Sequence, residues 1–151
     1  LGRNPCPDAV SKLVSLLEID DNAYVRRATA WSLANYDNQI VLRPLIKVLQ
    51  DDVSSVRLWA SSSLAEIGSI SNENAQIAAD QLLISLKIDN EPVVRSNCIW
   101  SLCRLYQNLS NKLQESFIDE CTKIALFDSE PSVMEEAKTA LDSMGMRGFY
   151  K

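Results

Sequence analysis

Carboxylates and guanidinium groups recur in this chain at one fixed step, and any chemistry has to be sought there first. Asp20, Asp51 and Asp89 each stand six residues before an arginine: Arg26, Arg57 and Arg95. An aspartate held against an arginine can serve as an acid–base pair or as part of a phosphate clamp. Adjacent carboxylates also occur at Asp20–Asp21, Asp51–Asp52 and Glu135–Glu136. Four cysteines, Cys6, Cys98, Cys103 and Cys121, could bind metal or act as nucleophiles. None of them forms a CxxC pair, so a zinc site is not indicated. Their expected state is reduced, as small apolar groups in a cytoplasmic protein.

The partners that catalysis needs are missing. The 151 residues include no histidine, which removes the commonest general base, the commonest metal ligand and every Ser-His or Cys-His arrangement. Four glycines cannot build the glycine-rich loops that cradle phosphates, and no such motif occurs. The expectation is a protein without catalytic, cofactor-binding or metal-binding residues.

Net charge is −5, from 15 basic and 20 acidic residues, and the basic residues are not gathered in one region. Nucleic-acid binding relies on basic patches that neutralise phosphates, so this balance argues against it. No apolar run reaches the roughly 20 residues that cross a bilayer, and no signal peptide is read. The chain opens on Leu1 rather than methionine, and the expectation is a processed or partial chain that lacks an upstream segment.

The spacing of the Asp and Arg residues belongs to a longer repeat. Val25, Val56, Val94 and Val133 serve as anchors, 31, 38 and 39 residues apart. Five places before each is an aspartate (Asp20, Asp51, Asp89, Asp128), and eight places after each is a leucine (Leu33, Leu64, Leu102, Leu141). Four places after stand the small residues Thr29, Ala60, Cys98 and Ala137. Positions 0, +4, +7, +8 and +11 share one helical face, so each anchor starts an amphipathic helix. Pro92 and Pro131 fall in the first turn, where a missing N–H costs nothing. The aspartate, or the residue after it, is placed to cap the helix, and Gly68 and Gly145 are placed to end one.

A second helix precedes each of these, over residues 9–18, 41–50, 75–88 and 114–127. The polar stretches at 69–74 and 107–112 read as linkers. A single helix pair cannot bury its apolar face, so four pairs must stack. The expected architecture is an all-α solenoid of eight helices in one domain. Its repeats run over about 8–37, 38–68, 71–107 and 110–145, with a tail at 146–151.

The string "Asp, four residues, Val-Arg, six residues, Leu" resembles the HEAT repeat, most closely the short bacterial variety also found in phycobilisome-lyase-type proteins. The resemblance implies a right-handed, armadillo-like superhelix whose second helices line the concave side. It also implies that the turn aspartates Asp20, Asp51 and Asp89 and the arginines Arg26, Arg57 and Arg95 form a structural ladder between repeats. The fourth repeat keeps Asp128 but has Met134 in place of arginine, so the ladder should end there.

On that concave side, helix positions +2, +5, +6 and +9 point away from the core. Through three repeats they are largely apolar or small, with Arg27 the one basic residue and tryptophan twice at +6. Tryptophan is enriched at binding hot spots. The predicted partner-binding residues are therefore Arg27, Trp31, Leu58, Ser62, Ile99, Trp100 and Cys103, on a scaffold or adaptor that takes another protein or peptide. Burial of these side chains as ordinary core is the competing expectation, and Trp59, at +3, is assigned to packing. The ridge could equally cover another domain of a longer chain or a second copy. Two other functions stand as alternatives: a bilin lyase or chaperone-like factor of phycobiliproteins, which the resemblance implies, and a nucleic-acid-binding solenoid, which the acidic balance disfavours.

Overall fold

Apolar residues at helical spacing, interrupted by short polar turns, fold here into helices alone among the described residues. The computed structural model describes residues 7–36 and 39–146. In chain order the helices are α1 (Pro7–Ile19), α2 (Ala23–Leu33), α3 (Leu42–Asp51), α4 (Ser54–Gly68), α5 (Asn72–Ile88), α6 (Pro92–Leu105), α7 (Asn111–Phe127) and α8 (Pro131–Ser143). Short 3₁₀ turns at Gln39–Val41 and Tyr106–Asn108 lead into α3 and α7. Odd-numbered helices form one layer (A) and even-numbered helices the other (B). Each helix packs on its own pair-mate and on its counterparts in the neighbouring pairs. The B helices pack on one another more extensively than the A helices do, which puts the B layer on the inner side of the stack.

One continuous core runs through the stack. Val56, Val94 and Val133 are fully buried, as are Leu33, Leu64, Leu102 and Leu141. Hydroxyls stitch the B layer together. Ser63 Oγ donates to the Ala30 carbonyl at 2.6 Å, and Ser101 Oγ donates to the Ser61 carbonyl at 3.0 Å. Asn97 Nδ2 donates to the Leu58 carbonyl at 3.2 Å and to the Ser61 and Ser62 hydroxyls. No helix is long and apolar enough to cross a membrane among the described residues.

Several local expectations need correction. Helices α5 and α7 begin three residues earlier than the apolar pattern suggests, because Ser71 and Ser110 cap them and draw polar residues into the first turn. Ser71 accepts from the Asn74 N–H and Ser110 from the Leu113 N–H. Neither the turn aspartates nor the residues directly after them cap the B helices. Asp20, Asp89 and Asp128 close the A–B turn by accepting the backbone N–H two residues on. The α2 cap is Asn22, which accepts from the Tyr24 N–H at 2.8 Å. Gly145 does end α8, with φ +79°. Gly68 is instead the last residue of α4, and its reason is space: a Cβ there would lie 3.0 Å from Leu105 Cδ2 and 3.2 Å from Ala78 Cβ.

Candidate functional site

The arginines that start the B helices reach across the stack. Arg57 donates to Asp89 through Nε at 2.8 Å and Nη2 at 3.0 Å, a two-pronged contact. Its Nη1 donates back to the carbonyl of Asp52 in its own turn at 2.7 Å. Arg26 makes the same set with Asp52 (2.9 and 2.8 Å) and the Asp20 carbonyl (2.8 Å). Arg95 repeats it with Asp128 (3.1 and 2.8 Å) and the Asp89 carbonyl (3.0 Å). Each guanidinium therefore ties its own turn to the turn of the following pair.

Two ladder assignments differ from the sequence reading: Asp20 offers Arg26 its carbonyl and not its carboxylate, and one rung takes the neighbouring aspartate. The carboxylate of the first rung, with Arg26, belongs to Asp52, and Asp51 is exposed as the last residue of α3. The cause is a turn one residue shorter, since only Asp52 and Val53 separate α3 from α4, where three residues intervene in the other pairs. Burial alone would raise the Asp52 carboxyl. The hydrogen bond from Arg26, the Val53 N–H and the charges of Arg26 and Arg57 outweigh it and hold the group below its ordinary value of 3.8. All three nitrogens of each of these guanidinium groups donate within the stack, so the ladder has the chemistry of a brace.

The cysteine thiols are withdrawn from reaction as well. Burial pushes Cys98 and Cys121 far up. It pushes Cys103 up to about 11, opposed by a hydrogen bond with Ser143 and helped by the charge of Glu136. Cys6 lies outside the described residues. Among the described residues no cluster of three potential metal ligands occurs.

The inner face is narrower than its sequence pattern indicates. Ile99, at +5, is fully buried, and Cys103, at +9, is partly buried and reaches Ser143, the last residue of α8. A B helix inside a stack is flanked on both sides. Positions +3 and +7 face the preceding pair, and +5 faces the next, as the Ser63–Ala30 and Ser101–Ser61 bonds demonstrate. Only +2, +6 and +10 remain toward solvent, so Ile99 and Cys103 belong to packing between α6 and α8.

The other residues of the predicted ridge do reach this surface. Trp31 is 57% exposed and Trp100 is 46% exposed. Ser62 stands between them at the same register on α4. Trp59 is partly buried against the core and meets Trp31 edge-on, ring centroids 6.4 Å apart at 81°. Arg27 lies 4.4 Å from the ring centre of Tyr24. Leu58 and Ser62 form one wall of a groove of about 430 Å³ across α4, α6 and α8, with Val93, Asn97 and Trp100 on the middle helix and Glu136 opposite. Arg104 lies 5.3 Å from the Trp100 ring centre and bonds Glu66 at 2.6 Å, which holds that ring at the groove's edge. Sequence reasoning missed Val93, Asn97 and Glu136. Their signal was position −1 or +3 on the helix, at the border of the exposed arc, which the four chosen positions left out.

A braced stack of helix pairs with one aromatic inner face defines an α-solenoid. The HEAT repeats family model matches residues 10–103, and the chain belongs to the HEAT-repeat family. The pair α7–α8 lies beyond that match yet supplies the last ladder aspartate. Among solved structures, a designed armadillo repeat protein in complex with the peptide (KR)4 is similar to it. The TM-score is 0.65 and the identity 24%, over 94% of this chain and 72% of that one. No curated protein matches the chain.

Proposed function

We propose that this protein is a non-catalytic scaffold that binds another protein through an extended peptide segment on its inner face. The observation that carries the reading is the pair of half-exposed tryptophans at one register on α2 and α6, beside the groove that Leu58, Ser62 and Trp100 line. Large aromatic side chains left open on a braced surface are the usual anchors of an interface. Neighbouring helices lie about 8–10 Å apart, so the two rings stand roughly 16–20 Å apart. An extended segment of about six residues covers that span. Trp31, Arg27, Leu58, Ser62 and Trp100 are the contact residues in this reading. The similar designed armadillo protein holds a peptide, which supports the same use here.

The test is selection from a random peptide display library, run on the native protein and on a Trp31→Ala, Trp100→Ala variant. Circular dichroism first establishes that both are folded. Peptides enriched on the native protein should bind it in solution with a change in tryptophan fluorescence and should lose at least tenfold in affinity on the variant. Selected peptides that bind both proteins equally would move the site off this face.

A further inference from the structure

The two ends of the stack differ in chemistry, and the N-terminal end is built like an interior joint. In the second to fourth pairs the turn aspartate (Asp52, Asp89, Asp128) accepts an arginine from the pair before it. Asp20 is set up in the same way. Its carboxylate accepts the Asn22 N–H at 2.8 Å, as Asp89 and Asp128 accept theirs, and its carbonyl accepts Arg26 Nη1 at 2.8 Å. No guanidinium reaches its carboxylate among the described residues.

Two further features of the first pair agree. Ser32 is the +7 counterpart of Ser63 and Ser101, whose hydroxyls donate to the preceding B helix. The Ser32 hydroxyl has no such acceptor among the described residues. Leu16 stands four places before the turn aspartate and is 40% exposed, while Val48, Ser85 and Ile124 at that step are buried. Val25, the first anchor, is only partly buried, while the other three anchors are fully buried. At the opposite end, among the described residues, Met134 replaces the arginine, and α8 carries the exposed Glu135, tied to Lys138 at 3.1 Å.

We infer that the N-terminal face of α1 and α2 is a docking surface for a further HEAT-type helix pair. Its second helix begins with an arginine that reaches Asp20, and its B-helix carbonyl accepts from Ser32. The occupant is a pair joined ahead of residue 7 in the same polypeptide. In every other joint of the stack, this face is covered by the pair immediately preceding in sequence. A second copy of this chain could present only Met134 to Asp20, so head-to-tail self-association does not satisfy the joint. The stack is thus extended on its N-terminal side, and its inner face continues past Trp31.

The test extends the full chain at its N-terminus with a copy of its own residues 39–71, which carries Arg57; residues 1–6 serve as the connection. The expected result is one cooperative urea transition with a higher midpoint and a steeper denaturant dependence than the native chain. Asp20→Asn keeps the acceptor for the Asn22 N–H and removes the charge. It should lower the midpoint of the extended protein clearly more than that of the native chain, where the charge acts on Arg26 alone. The same loss should follow Arg57→Ala in the added copy alone. A separate transition for the added pair would overturn the inference, as would an equal effect of Asp20→Asn on both proteins. A native dimer in sedimentation that Asp20→Asn dissociates would give the face to a second copy and overturn it too.

Discussion

Two neighbouring aspartates, Asp51 and Asp52, should differ sharply in what their removal does. Asp52 accepts two charge-assisted hydrogen bonds from Arg26, at 2.9 and 2.8 Å, and the Val53 N–H at 2.7 Å. Hydrogen bonds to charged groups contribute about 1.5–3 kcal/mol. The Arg26 side chain is partly open to water, which screens its attraction, and it keeps its bond to the Asp20 carbonyl. Asp52→Ala should therefore cost about 1–3 kcal/mol. Asp51 is exposed at the C-terminal end of α3, where a negative charge opposes the helix dipole. Asp51→Ala should leave stability unchanged within about 0.5 kcal/mol, or raise it slightly. In a chain of this size 1 kcal/mol moves the thermal midpoint by about 2–4 °C. Thermal and urea unfolding followed by circular dichroism would separate the two variants. An Asp51→Ala loss as large as that of Asp52→Ala would refute the one-residue-shorter turn and return the rung to the uniform spacing of the sequence.

The depressed Asp52 carboxyl gives the fold a matching pH dependence: its contribution is present above the ordinary value of 3.8 and is lost as pH falls through the lower folded value. The gap in urea midpoint between the native protein and Asp52→Asn should then be constant from pH 7 to 5 and close below pH 4. A gap that widened on acidification would contradict the sign. Ile99→Ala should cost about 2–4 kcal/mol as a core truncation, whereas Trp100→Ala should cost about 1 kcal/mol or less; urea unfolding of both distinguishes packing from surface. Gly68→Ala should lower the thermal midpoint despite its better helix propensity, because overpacking against the buried Leu105 and Ala78 costs about 1–3 kcal/mol. A raised midpoint would show that Leu105 gives way. Iodoacetamide at pH 8, read by peptide mass, should leave Cys98, Cys103 and Cys121 largely unmodified in the folded protein and label all three in urea.

The repeat was legible because a solenoid applies the same constraint once per layer. Val25, Val56, Val94 and Val133 answer to the same core position, and four copies in register separate that signal from accident. What the sequence obscured depends on the relation between layers. The Asp51–Asp52 dipeptide offers two carboxylates one residue apart. Which of them meets Arg26 is decided by where α3 ends and how long the turn is, a matter of backbone geometry that residue types do not encode. The inner face was obscured for a related reason. A helical wheel assigns one buried side and one open side, which suits a helix packed on a single neighbour. A B helix within a stack packs on three or four, so its buried arc extends past Ile99 and Cys103 and leaves little beyond +2, +6 and +10. The same reasoning turns the first pair into a measuring device. Leu16, Val25 and Ser32 occupy positions that are buried in the later pairs, and in the first pair they are more exposed.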